Sequence, residues 1–127
     1  MLVFRIFMWL VTELIPVAMI LCGRKMTLRP GRRNASSGYR TQRSLASGES
    51  WIFAQRLCGR IWVGTGCAFA VLAAFAMLAC GADSVRFIGL YGAAAVGIEL
   101  VLMLLTGAPV EVALRRSFDK YGRPIRK

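Results

Sequence analysis

Three long apolar runs, Leu2 to Cys22, Ile61 to Cys80 and Phe87 to Gly107, alternate with polar and basic segments along the chain. Each is about 20 residues long, the length an α-helix needs at 1.5 Å per residue to cross a hydrocarbon core about 30 Å thick. The second run has no charged residue and the third only Glu99, whereas the first carries Arg5, Glu13 and Pro16. The pattern predicts an all-α integral membrane protein over 1–127, with three transmembrane helices, a cytoplasmic loop at 23–60 and a cytoplasmic tail at 108–127. The first run also begins like a signal peptide. Glu13 interrupts its apolar core, however, and Cys22-Gly23 leads into Arg24 and Lys25 rather than a small-residue cleavage site, so it is read as a retained span.

Between the first two runs, residues 23–48 are rich in Arg, Ser and Gly, are punctuated by Pro30 and Gly31, and show no apolar period, so irregular structure is expected. Ser47 is placed to cap a helix that has Glu49 in its first turn and Trp51, Ala54 and Cys58 at helical spacing. An interfacial helix leading into the second span follows, with Trp51 and Trp62 as headgroup-level anchors. In the tail, Pro109 either stops the third span or starts a new helix. Val110, Ala113, Leu114, Phe118 and Tyr121 form an apolar stripe opposed by Arg115, Arg116 and Lys120, with Gly122 as a C-terminal stop; this predicts an amphipathic helix on the inner surface.

Composition sharpens the membrane reading. Apolar residues make up 57% of the 127, and the mean hydropathy is +0.56, which excludes an ordinary soluble domain. The net charge is +11, and 16 of the 17 basic residues lie outside the spans: nine between the first two spans, six after the third, and only Arg86 between the second and third. Because basic residues are retained on the cytoplasmic side, this places the N-terminus outside and the long loop and C-terminus inside. Topology therefore accounts for the charge, and nucleic acid is not an expected partner; anionic lipid headgroups are. Cys22, Cys58, Cys67 and Cys80 form no metal-ligand spacing and are read as small apolar residues, with no cofactor.

Glu13 is the twelfth of 21 residues in the first run and Glu99 the thirteenth of 21 in the third. Running in the same direction, the two helices would hold both carboxylates near the bilayer centre. Such residues face a bundle interior or watery cavity and mark a functional site, or else stay protonated and hydrogen-bond to a neighbouring helix as glue. Gly66, Ala70 and Ala74, and likewise Gly89, Ala93 and Gly97, fall four apart and are expected to face helix partners, with a short turn holding the second and third spans antiparallel. Three helices enclose little interior, so a homo-oligomer is expected.

The run Asn34-Ala35-Ser36-Ser37-Gly38-Tyr39-Arg40-Thr41, then Ser44, then Trp51 and Ala54, resembles the signature of the SdpI family of bacterial membrane proteins. Phe118-Asp119-Lys120-Tyr121-Gly122 is similar to the Phe-Asp-x-x-Gly with which such domains finish. Arg32-Arg33 departs from the prolines and apolar residues often found there. The resemblance implies a protein of the bacterial cell membrane with an immunity-like role against a secreted peptide toxin. It also points to Asn34, Gly38, Tyr39, Arg40, Thr41, Ser44, Trp51 and Ala54 in the loop, and to Phe118, Asp119 and Gly122 in the tail. By its chemistry the loop motif either binds a lipid phosphate or acidic partner through Arg40, with Glu49, Glu111 and Asp119 as internal counter-charges, or forms a lid locked by those same hydrogen bonds.

Two functions are expected to compete: a binding or immunity module that recognises a hydrophobic peptide toxin without turnover, and a small oligomeric channel or ion-coupled transporter using Glu13 and Glu99. An enzyme is the weakest reading, since the sequence has no His and no Ser or Cys with an evident base nearby.

Overall fold

A computed structural model describes residues 2–33, 38–79 and 84–125. Four helices follow one another: α1 (Leu2–Leu28), α2 (Gly48–Ala79), α3 (Val85–Leu105) and α4 (Gly107–Ser117). The described residues include no strand beyond an isolated antiparallel bridge between Phe118 and Pro124. Three helical stretches are long and apolar enough to span a membrane. Leu2, Val3, Phe75, Leu78 and Leu104 on these helices are each at least 70% exposed, a belt that water would penalise and lipid would not.

Two boundaries differ from the sequence reading. Helix α1 runs two turns past Cys22, because Gly23 faces α2 and Lys25 in the last turn suits the negative end of the helix dipole. It ends where Arg29 N–H closes on the Lys25 carbonyl and Pro30 follows. The expected interfacial helix and the second span are one continuous α2. Its 32 residues extend about 48 Å, so roughly 12 of them project beyond a 30 Å core. Ser47 caps it as expected: its Oγ accepts the Ser50 N–H at 3.1 Å while Ser50 Oγ accepts the Ser47 N–H at 3.1 Å. This is a reciprocal cap with Ser in place of the usual acidic partner.

Helix α1 packs along α2 and also along α3, whereas α2 and α3 touch little. Glycines make the α1 seams. A Cβ at Gly23 would lie 2.6 Å from the Gly59 carbonyl oxygen, and one at Gly66 would lie 2.9 Å from that of Pro16. On the α3 side, Gly89 meets Phe4 while Gly92 meets Met8 and Thr12, so α1 and α3 run in the same direction. The expected row Gly89, Ala93, Gly97 is not the α3 seam: Ala93 and Gly97 are exposed, and the buried positions are Ile88, Gly92 and Glu99. The reason is rotational. At about 100° per residue Gly97 and Glu99 lie on opposite faces, and turning the glycine row inward would aim a carboxyl at lipid.

At the basic end, α4 starts from Thr106 with Pro109 in its first turn, where a missing N–H costs nothing. Its apolar stripe packs on protein: Val110, Leu114 and Phe118 bury against Ala54 and Cys58 of α2. The predicted continuation through Tyr121 to a Gly122 stop is corrected. The helix ends at Ser117, Phe118 is extended, Tyr121 is exposed, and Gly122 (φ +75°) sits in a tight turn opened by Asp119. The Asp119 carbonyl accepts the Gly122 N–H at 3.1 Å and its carboxylate accepts the Tyr121 and Arg123 N–H groups at 2.9 Å. This turn chemistry outcompetes helix continuation.

Candidate functional site

Two clusters carry the chemistry, one capping the basic end and one within the membrane-spanning half.

The cap is built on α2. Gln55, 1% exposed, clasps the loop backbone: its Nε2 donates to the Tyr39 carbonyl at 2.6 Å and its Oε1 accepts the Tyr39 N–H at 2.9 Å. Gly38 has φ +105° and its missing Cβ leaves room for the Gln55 amide, so both conformation and space require glycine there. From Tyr39 the phenol reaches α4, donating to Glu111 Oε2 at 3.1 Å and lying 3.2 Å from the Gly107 carbonyl oxygen. Burial first, then the hydrogen bond and charge of Glu111, push its pKa up to about 12. Thr41 Oγ1 donates to the same carboxylate oxygen at 3.1 Å, and Arg43 Nε pairs with the other at 3.9 Å. Buried Ser44 closes the turn by accepting the Thr41 N–H at 2.7 Å.

Trp51 and Trp62, expected as headgroup anchors, instead tie elements together. Trp51 is buried and its Nε1 donates to the Gly31 carbonyl at 2.7 Å; Trp62 Nε1 donates to Thr106 Oγ1 at 2.9 Å, where α3 meets α4. Indoles that find internal acceptors and packing partners need no headgroup. Ala54 is fully buried beneath α4, and Phe118 stacks edge-to-face on Phe53 with centroids 5.4 Å apart. Gly122 touches Ser47, whose Oγ donates to its carbonyl at 2.7 Å, so the tail turn clasps the α2 N-terminus. Cys58 lies in this core and burial pushes its thiol up to about 11, which keeps it protonated and inert.

Of the expected counter-charges only Glu111 serves, and it serves Arg43 and Arg115 rather than Arg40. Glu49 is exposed, and Asp119 spends its carboxylate on backbone N–H groups, which hold its pKa below the ordinary value. Arg40 is exposed with no ion pair among the described residues. Asn34 lies outside the described residues. Sequence reasoning missed Gln55, although a Gln within the stripe of Trp51, Ala54 and Cys58 was its signal.

A family model of the SdpI/YfhL protein family matches residues 31–112, about two-thirds of the chain. The chain belongs to this family. The SdpI/YfhL match takes in the loop, α2, α3 and the first half of α4, and leaves α1 and the tail turn outside it. No curated protein and no solved structure matches significantly.

The second cluster lies deeper. Glu99 on α3 is 6% exposed, and its Oε2 is buried without a hydrogen-bond partner. Glu13 on α1 is half-buried, accepts the Trp9 indole N–H at 3.1 Å, and lies close enough to Glu99 for the two to interact electrostatically. Because α2 and α3 diverge, an open groove of about 550 Å³ runs between them, walled by Phe69, Leu72 and Phe75 on one side and Tyr91, Ile98 and Leu102 on the other, with Glu99 at its lining. Apolar walls with one polar group describe a site that admits a greasy ligand and orients it by a single hydrogen bond.

Proposed function

We propose that this SdpI/YfhL-family membrane protein acts by binding, without turnover, as an immunity-like protein that takes up an apolar segment of a membrane-active peptide in the α2–α3 groove. One observation carries the reading: Glu99 is buried against the groove with an unsatisfied carboxyl oxygen, a costly arrangement that a ligand donating a hydrogen bond would relieve. The apolar walls supply area and Glu99 supplies orientation. Family membership supports the immunity-like class.

The test is expression in a bacterium sensitive to such peptides. The chain should raise tolerance to at least one, and Glu99→Leu should remove the gain while the purified protein keeps its helicity. Tolerance unchanged across a peptide panel, or retained by Glu99→Leu, would refute it.

The electrostatic proximity of Glu13 and Glu99 favours a second reading, a small oligomeric channel or ion-coupled transporter that uses both carboxyls. Proton or cation flux in liposomes that Glu99→Gln abolishes would select it over binding.

A further inference from the structure

We propose that the trough flanked by Arg24 and Arg60, where α1 crosses α2 at the basic end, is a binding site for one anionic glycerophospholipid. Gly23 and Gly59 bring the two backbones together there, and each arginine follows its glycine by one residue. The close approach sets Arg24 and Arg60 on the rim of one trough of about 450 Å³, completed by Thr27, Leu28 and Val63. Both arginines are exposed, and neither pairs with a carboxylate among the described residues.

Position and chemistry select the occupant. The apolar run of α1 gives way to charge at Arg24 and that of α2 begins just after Arg60, so both guanidiniums stand at headgroup level. Two permanently charged planar donor forks suit a phosphodiester. Leu28 and Val63 extend the trough with apolar wall, which an acyl chain would cover and a free phosphate would not. A zwitterionic lipid would bring an ammonium against the same arginines. The neighbouring trough on α2 shares Arg60 and adds Arg56, but it also holds the Glu49 carboxylate, which makes it a weaker anion site. Neither the peptide groove nor Glu99 takes part, so this proposal stands apart from the proposed immunity role.

The experiment uses the full chain purified in mild detergent, with phosphatidylglycerol or phosphatidylcholine added and retained lipid counted by native mass spectrometry. One phosphatidylglycerol per chain should be retained in preference to phosphatidylcholine. Arg24→Gln and Arg60→Gln should each lower that retention about fivefold, the factor for roughly one screened charge contact, and the double variant more. Arg56→Gln and Arg115→Gln remove the same charge elsewhere at the basic end and should leave retention within twofold. Equal retention of the two lipids, or equal losses in the control variants, would reduce the site to diffuse attraction and overturn it. Displacement by millimolar glycerol phosphate would show a phosphate site indifferent to acyl chains and overturn it as well.

Discussion

The two polar clusters of this chain treat their hydrogen bonds in opposite ways. At the basic end, Gln55, Tyr39, Thr41, Ser44 and Glu111 partner one another across the loop, α2 and α4. In the spanning half, Glu99 has an oxygen without a partner beside an open groove. A satisfied network in contact with a packed core holds a fold together, whereas an unsatisfied one beside a groove costs stability and persists where a ligand completes it. The hydrogen bonds of the loop motif lock α4 onto α2, and the groove is where binding is proposed.

The largest expected effect tests the lock. Phe118 is buried against α2 and stacks on Phe53, so Phe118→Ala should cost about 3–5 kcal/mol in reversible unfolding of the detergent-solubilised protein. A loss below about 1 kcal/mol would mean that the tail is not part of the cap. Next comes a pair of opposite sign. Gln55→Leu strands the Tyr39 N–H and carbonyl and should destabilise by about 1–3 kcal/mol, whereas Glu99→Leu removes an orphaned oxygen and should stabilise by up to a similar amount. If both variants destabilise equally, the distinction between lock and site collapses.

How much of this was legible in the sequence depended on which signal dominated locally. The spans were legible because some twenty apolar residues in a row have few alternatives, and Ser47 because its cap chemistry needs only residues three apart. The cap's partners were not, since Tyr39 and Glu111 are 72 residues apart and only folding brings them together. Glu99 was marked by type and depth alone, while the groove beside it follows from α1 packing between α2 and α3, which no local pattern encodes. The helical stripe expected through Tyr121 failed because apolar period outweighed the turn chemistry of Asp119 and Gly122, although both residues were in view.

A smaller effect concerns pH. Folding favours the neutral Tyr39 phenol, whose pKa is pushed from 10.0 to about 12, so its contribution is complete below pH 10 and is lost as pH climbs toward 12. Stability measured across that window should fall, and Tyr39→Phe should flatten the slope. An unchanged slope in the variant would assign the alkaline loss to other groups.

The smallest expected effect falls on the residue the motif made most conspicuous. Arg40 sits between Tyr39 and Thr41, both bonded to Glu111, yet its own side chain is exposed and forms no ion pair among the described residues. An unpaired surface arginine contributes little to a fold, so Arg40→Gln should change unfolding stability by no more than about 0.5 kcal/mol, against the much larger loss in Gln55→Leu. That difference separates backbone from side chain at position 40: the loop needs a residue that follows Tyr39 into the turn, not a guanidinium. A clear destabilisation in Arg40→Gln would mean that Glu111 is shared with Arg40 in solution, which would make the lock a charge cluster rather than a hydrogen-bonded clasp and render its stability salt-dependent.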